Sequence, residues 1–284
     1  MFAVGAVVWG VAISSQVILF DGVYSFVSVL LSLGSLLAAG FIRKTDDLRF
    51  PFGKETIEPL VITFKYLAIG AMCLFALFSA VSDLFEGGRA VNLGSATLYG
   101  AVATAACLLV YLYFKRRGGG AGSGFVRAEA NQWLMDGLLS AGVLAGFVLA
   151  LVLSLTPLAA VTAYVDPLML ILVSAYFLKV PVGEIRKAGR EVLEMSPEED
   201  LRRRLEEIVH GVEEEYGFDE PFIRLSKVGS KLYIEVDYVV GDESRVRDVT
   251  GFDQVRQLLS DRLEEVELSK WLTISFTADR KWAL

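Results

Sequence analysis

The chain has 284 residues, of which 54% are hydrophobic and 21% are charged, and its formal net charge is −7. A mean hydropathy of +0.51 is too high for a water-soluble globular protein of this length, so the composition excludes the ordinary soluble classes. We therefore predict a protein that crosses a membrane several times.

Six apolar stretches follow one another from the N-terminus. An α-helix rises about 1.5 Å per residue and a bilayer core is about 30 Å thick, so one crossing needs about 20 apolar residues. The first stretch, 1–13, reaches only about 20 Å and is predicted to be a short or truncated first span. Five longer stretches meet the length requirement: 16–42, 57–85, 94–114, 126–154 and 162–182.

Basic residues are concentrated in alternate connections between these stretches. Among the remaining connections, only Arg89 contributes a positive charge. By the positive-inside rule the basic connections face the cytoplasm, so six spans place both termini there. We predict an integral, multi-pass protein of the plasma (inner) membrane. The basic residues are Arg43, Lys44, Arg49 and Lys54, then Lys115, Arg116, Arg117 and Arg127, and finally Arg186, Lys187 and Arg190.

Two carboxylates interrupt the apolar stretches, each with an oxygen-bearing residue four positions away. Asp21 precedes Ser25 in "DGVYS", and Gln132 precedes Asp136 in "QWLMD". Positions i and i+4 share a helix face, so each pair directs its oxygens to one side. Ionisable residues inside a membrane are costly and usually functional. Two such faces opposite each other would bind a cation, although Ser25 could instead bond its own helix backbone and Gln132 could bridge two helices.

A charged, periodic segment begins near Ser196 and is typical of a soluble domain. We predict a helix opened by a capping box at Ser196–Glu199 with Pro197 in its first position, strands at 222–228 and 231–240, a helix at 248–264 and a strand at 271–277. The order α-β-β-α-β indicates a small α+β domain of ferredoxin-like type. Of the 34 acidic and 27 basic residues, 21 and 13 follow Ser196, so this part is acidic and a poor nucleic-acid binder.

Three smaller features predict local structure. Cys73 and Cys107 lie in separate spans without metal-binding or disulfide spacing and are predicted to be small core residues. The run Gly118–Gly124, "GGGAGSG", is predicted to be a flexible loop. Asp166, just before Pro167, is predicted to be the N-cap of the sixth helix.

Together these patterns resemble the cation diffusion facilitator family over nearly the whole chain. The segments that carry the resemblance are "ILFDGVYS", "RFPFGKETIEPL", "AEANQWLMDGLLS" and "VDPLMLILVSAYFL". The resemblance implies six transmembrane helices, a transmembrane cation-transport domain over 1–195 and a cytoplasmic dimerisation and regulatory domain over 196–284. It also implies a charge contact between Glu194 and basic residues at the entrance of the third span.

Members of that family export divalent metals in exchange for protons and act as homodimers. The positions that match the family's transport site are Asp21, Ser25, Gln132 and Asp136, where two of the four usual ligands are retained. With Gln132 in the place of a histidine, the site would have oxygen donors only, which suit hard cations although the later metals bind more tightly in general. Accessory sites would have only Asp46, Asp47, Asp237 and Asp279. These residues could bind a hard cation weakly, but the favoured interpretation is that they are solvated surface carboxylates.

The sequence therefore predicts a proton-coupled exporter of a divalent metal of the Mn, Fe, Co or Zn class. Its partners are the metal ions, protons, membrane lipid and a second copy of the chain, with no nucleic acid and no cofactor beyond the transported metal. The alternative is a non-transporting regulatory or scaffold homologue that keeps the fold. An enzyme is disfavoured because the chain has no nucleophile–base pair, phosphate loop or cofactor motif.

Overall fold

The computed structural model describes residues 2–44, 46, 48–117 and 124–284. The described residues form two compact units, one within Met1–Leu33 and Tyr66–Gly183 and the other within Gly34–Lys65 and Glu184–Leu284. The predicted loop at Gly118–Gly124 falls almost entirely outside the described residues, since only Gly124 is included. The predicted boundary between 195 and 196 stays a prediction.

In the part of the chain that the structure describes, six α-helices precede the soluble segment. They are α1 (Phe2–Ile13), α2 (Gln16–Ile42), α3 (Ile57–Phe85), α4 (Leu93–Arg117), α5 (Gly124–Leu153) and α6 (Val165–Val192), the last preceded by a 3₁₀ turn at Ala159–Tyr164. Within the described residues, five segments are long and apolar enough to cross a membrane, and α1 is not one of them. Its 12 residues would rise about 18 Å. The sixth predicted span is therefore not confirmed.

The apolar side chains of the long helices lie mainly on the outside of the first unit. Large residues such as Leu30, Phe75 and Leu149 are exposed, whereas the helix contacts are made largely by small residues such as Ala76, Ala80 and Ala96. Small residues allow close helix packing in lipid, where no hydrophobic force drives helices together. This inverted distribution is that of a membrane bundle.

The soluble segment contains α7 (Glu199–Tyr216), β1 (Glu220–Val228), β2 (Lys231–Val239), α8 (Val249–Arg262) and β3 (Ser269–Thr277). The order α-β-β-α-β is as predicted, and the three strands form one sheet in the order β1-β2-β3. β1 pairs with β2 antiparallel, and β2 pairs with β3 parallel. The complete ferredoxin-like topology stays a prediction.

Apolar residues occupy alternate positions along the first part of β2 and form the core beneath this sheet. Leu232, Ile234 and Val236 are buried and contact the apolar stripe of α7. Between β1 and β2 the chain turns at Gly229, whose φ of 57° lies in the left-handed region that glycine adopts most easily. Asp248 caps α8, because its carboxylate accepts a hydrogen bond of 2.7 Å from Gly251 N.

The predicted capping box at Ser196 is wrong. α7 begins at Glu199, and its N-cap is Glu198, whose side chain makes no capping hydrogen bond. Pro197 is buried ahead of the helix instead of occupying its first position. The burial of the Pro197 ring outweighs the capping pattern in the local sequence, because tertiary contacts routinely override local preferences.

The connection between α2 and α3 packs against the sheet within the second unit. Lys231 Nζ lies 2.8 Å from Glu55 Oε1, and their side chains are only 15% and 17% exposed. Tyr233 donates its hydroxyl proton to Phe52 O at 3.1 Å, and the Phe52 ring lies 6.0 Å from that of Trp271. In this ion pair the acidic residue lies at the entrance of α3 and the basic residue lies in the sheet. The contact implied for Glu194 has the opposite arrangement, with the basic residues at the entrance of α3.

Candidate metal centre

The two intramembrane carboxylates lie on α2 and α5 of the first unit. Asp21 and Ser25 occur one helical turn apart on α2, and both are half-buried, as is Asp136 on α5. Gln132 also belongs to α5, but its side chain lies outside the described part of the structure. Asp21 and Asp136 are close enough to interact electrostatically. The structure therefore brings together the two charged members of the predicted set.

Each carboxylate is followed by a glycine that packs against a neighbouring helix. A Cβ atom at Gly22 would lie 2.6 Å from Val7 N of α1, and one at Gly137 would lie 3.3 Å from the Cβ of Cys107 on α4. The first distance is a collision with backbone, so α1 can approach α2 only because residue 22 is glycine. These contacts hold the helix segments that carry the two aspartates.

A tyrosine that the sequence reasoning overlooked contacts Asp21. Tyr99, on α4, donates its hydroxyl proton to Asp21 Oδ2 at 2.8 Å. The Tyr99 ring also lies 6.3 Å from that of Trp9 on α1. No spacing rule links residues 21 and 99. The only signal was a phenolic oxygen in an apolar span, where a buried tyrosine hydroxyl usually has a partner.

Asp136 has a different environment from Asp21. Among the described residues no side chain donates a hydrogen bond to it, and the Tyr24 and Cys107 side chains lie near it. The Tyr24 ring is held by Phe177 at 4.5 Å. Among the described side chains, Asp21 thus already has one hydrogen-bond donor and Asp136 has none. An unsatisfied carboxylate in this setting requires a proton or a cation.

Ser25 has no hydrogen-bond partner among the residues described. Elsewhere in the spans, hydroxyls bond the carbonyl one turn earlier, as Thr63 does to Pro59 O and Thr97 to Leu93 O, each at 2.8 Å. The Ser25 hydroxyl makes no such bond within the described structure. It is therefore available to a ligand on the face of α2 that carries Asp21.

Asp166 does not cap α6, contrary to the prediction. α6 begins at Val165, and the Asp166 carboxylate, which is 1% exposed, accepts hydrogen bonds from the Ser15 hydroxyl and from Gln16 N at 2.9 Å. Its partners are the first groups of α2, whose N-terminal amides need acceptors. Asp166 therefore caps a different helix and connects the starts of α2 and α6. The proline after it was a misleading signal for a local cap.

The carboxylates of the soluble segment have structural partners. Asp237 is buried and accepts a hydrogen bond from Arg224 Nη1 at 2.7 Å, so the prediction of a solvated surface carboxylate is wrong at this position. Asp279 pairs with Lys281 Nζ at 2.9 Å and caps the turn that follows. Asp47 lies outside the described residues. Within the described residues, no group of three or more histidine, cysteine, aspartate or glutamate side chains could hold a metal.

The two cysteines are buried and unpaired within the described structure. Cys73 belongs to the core of the first unit, as predicted, together with Ile69 and Ala76. Cys107 faces α5 near the two aspartates. Neither residue has a thiol or imidazole neighbour that would make a sulfur-based metal site among the described residues.

Comparison with known proteins identifies the membrane part of the chain. The model of the cation efflux transmembrane domain matches residues 1–193, about two thirds of the chain. A curated relative, Protein p34 of Rickettsia rickettsii (strain Sheila Smith), is 24% identical over 227 residues, which cover 79% of this chain and 71% of that protein. The family model spans both helices that carry the aspartates. The chain belongs to the cation efflux family, also called the cation diffusion facilitators, and is an integral membrane protein that transports cations.

Proposed function

We propose that the protein exports a divalent metal ion in exchange for protons, with Asp21, Ser25, Gln132 and Asp136 as the transport site. The observation that carries this proposal is the electrostatic interaction between Asp21 and Asp136, which lie on separate apolar helices. Two adjacent carboxylates in a membrane are an unfavourable arrangement unless a cation or protons neutralise them.

The charge of this pair suits exchange. One divalent cation or two protons neutralise two carboxylates equally well, and metal binding requires the deprotonated ligands. Protons and metal therefore compete for the same oxygens. A site that opens alternately to the two sides of the membrane would exchange one for the other.

The donor set favours oxygen-liking metals. Two carboxylates, a serine hydroxyl and a glutamine carbonyl are all oxygen ligands, which suit Mn²⁺ or Fe²⁺, while the Irving–Williams order still favours Co²⁺ and Zn²⁺ in affinity. The Ser25 hydroxyl, which has no partner among the described residues, and the acceptor capacity of Asp136 support a direct role for both. Tyr99 would then give up or share its hydrogen bond to Asp21 when the metal binds.

The remaining parts of the proposal concern assembly and direction. The acidic α+β domain would dimerise two copies of the chain, and the basic connections would place this domain and both termini in the cytoplasm of the plasma membrane. Metal would then leave the cytoplasm. The metal is a substrate in this proposal, and no further cofactor is needed.

A second candidate is a non-transporting homologue. It is favoured by the Tyr99 hydrogen bond, which occupies Asp21, and by the presence of only two charged ligands. In this alternative the two aspartates would remain from a transport site that no longer works, and the chain would regulate or scaffold another transporter.

Metal binding separates the two candidates. We would measure Mn²⁺, Fe²⁺, Co²⁺, Zn²⁺, Cd²⁺ and Mg²⁺ binding by calorimetry, using purified wild-type protein and the Asp21→Ala/Asp136→Ala variant. Glu86→Gln, which changes an exposed carboxylate at the end of α3, is the matched control. A transporter should lose saturable binding in the double variant alone. Equal binding by all three proteins, or none by any, would favour the non-transporting candidate.

A further inference from the structure

A cleft in the second unit is lined by basic side chains and has no role in the transport site. It has a volume of about 810 Å³ and lies between the end of α6, the start of α7 and β1. Five cationic residues line it, against three carboxylates, so the lining carries an excess of two positive charges. The cationic residues are Arg186, Lys187, Arg190, Arg202 and Lys227, and the acidic residues are Glu191, Glu198 and Glu199.

One of the three carboxylates in this cleft, Glu191, is already engaged. Glu191 accepts hydrogen bonds from Gly229 N at 3.0 Å and from Lys227 Nζ at 3.4 Å. Arg190 donates to a neutral carbonyl, Ser196 O, at 3.1 Å, so its charge is not compensated by that contact. Arg186 is exposed and has no hydrogen bond or ion pair to any described residue. These two arginines are therefore the cations available to a ligand.

Arg186 and Arg190 have the geometry of an anion clamp. They are four residues apart on α6, so their side chains leave the same face of the helix. A guanidinium group presents several N–H donors in a plane and can bind phosphate oxygens in pairs. Two such groups on one face match a phosphate-bearing anion better than a monovalent ion such as chloride.

The length of α6 places this clamp at the level of phospholipid headgroups. From Val165 to Arg186 the helix rises 21 residues, about 32 Å, which is close to the thickness of the hydrocarbon core. Basic clusters directly after a membrane span commonly bind anionic lipids.

We propose that the cleft binds a phosphate-bearing anion, namely the headgroup of an anionic phospholipid, through Arg186 and Arg190. The phosphodiester lies between the two guanidinium groups, and the acyl chains extend back along α6 toward the hydrocarbon core. The alternative source of the same chemistry is a soluble phosphate that enters the cleft from the water.

Lipid retention by the full-length protein tests this proposal. Wild type, Arg186→Gln/Arg190→Gln and the control Arg203→Gln/Arg204→Gln are extracted from vesicles of equal parts phosphatidylglycerol and phosphatidylcholine, and bound lipid is counted by native mass spectrometry. The control removes the same charge from the exposed side of α7, away from the cleft. We expect wild type and control to retain phosphatidylglycerol in preference, and the α6 variant to lose at least about tenfold of that retention, or about 1.4 kcal/mol.

Inorganic phosphate distinguishes the source of the anion. The melting temperature of wild type is compared in phosphate and in chloride at equal ionic strength. A higher value in phosphate that is lost in the α6 variant, with lipid retention unchanged, would show that the cleft binds soluble phosphate instead of lipid. If the α6 variant retains phosphatidylglycerol as wild type does and phosphate shifts both proteins equally, the proposed site does not exist.

Discussion

At the scale of single residues, the candidate centre depends on side chains that are small as much as on those that are charged. Asp21 and Asp136 supply charge, but each is followed by a glycine whose neighbour is another helix. The helix α2 can approach α1 because residue 22 lacks a side chain, and the contact of α5 with α4 at residue 137 leaves little room for one. The positions of the two carboxylates thus depend on helix packing, which a motif of ligand residues does not include.

Gly22→Ala tests the packing of α1 against α2. The new methyl group would overlap Val7 N at 2.6 Å, so we expect a loss of about 1–3 kcal/mol in the free energy of unfolding and a lower melting temperature in detergent. Gly34→Ala on the same helix has open space around it and is the control. It should be neutral or slightly stabilising, because alanine favours helix by up to about 1 kcal/mol over glycine. Equal melting temperatures for the two variants would contradict this account.

At the scale of elements, the contact between the α2–α3 connection and the sheet rests on one largely buried ion pair. Burial alone would raise the pKa of the Glu55 carboxyl, but the hydrogen bond and charge of Lys231 outweigh this effect and hold that pKa below its ordinary value of 4.5. A carboxyl whose pKa is lower in the folded state stabilises that state above its unfolded pKa. This contribution is lost as the pH falls through the lowered folded pKa.

Glu55→Gln should therefore lower stability in a pH-dependent way. We expect a loss of about 2 kcal/mol near neutral pH, between the values typical of exposed and of buried pairs. The difference between wild type and variant should shrink as the pH falls below about 4.5. Lys281→Gln, which removes an exposed partner of Asp279, is the control and should change little at any pH. A difference for Glu55→Gln that does not vary with pH would show that the ion pair is not its cause.

The elements themselves were largely predictable, and the contacts between distant elements were not. The five long apolar stretches and the alternation of Leu232, Ile234 and Val236 depend on local periodicity, which sequence displays directly. Two local signals failed because tertiary contacts override them. Ser196 does not cap α7, since Pro197 is buried ahead of the helix, and Asp166 caps α2 instead of its own helix.

The residues of the candidate metal centre also differ in how well the sequence could predict them. Asp21 and Asp136 were identifiable because a charge in an apolar run is conspicuous and because each has an oxygen four positions away. Tyr99 was not, since its contact with Asp21 joins residues 78 positions apart. Buried hydroxyl donors resemble packing residues in sequence, and only the fold shows which carboxylate they contact.

At the scale of the whole molecule, the distribution of basic residues predicts which connections face the cytoplasm. We expect a cysteine at Glu267, in the soluble segment, to be protected from a membrane-impermeant maleimide in intact cells. A cysteine at Glu86, after α3, should be labelled. Background labelling should be low because Cys73 and Cys107 are buried. Labelling of Glu267→Cys with protection of Glu86→Cys would reverse the topology and the direction of transport.

The exchange of metal for protons at the two aspartates is the central claim, and proton flux in proteoliposomes tests it most directly. A pH-sensitive dye inside the vesicles would report proton movement when each of Mn²⁺, Fe²⁺, Co²⁺, Zn²⁺, Cd²⁺ and Mg²⁺ is added outside. We predict metal-dependent proton movement for wild type and Glu86→Gln with at least one of these metals, and its loss in Asp136→Asn. Folded wild-type protein that moves no protons with any metal, or an Asp136→Asn variant as active as wild type, would contradict the account.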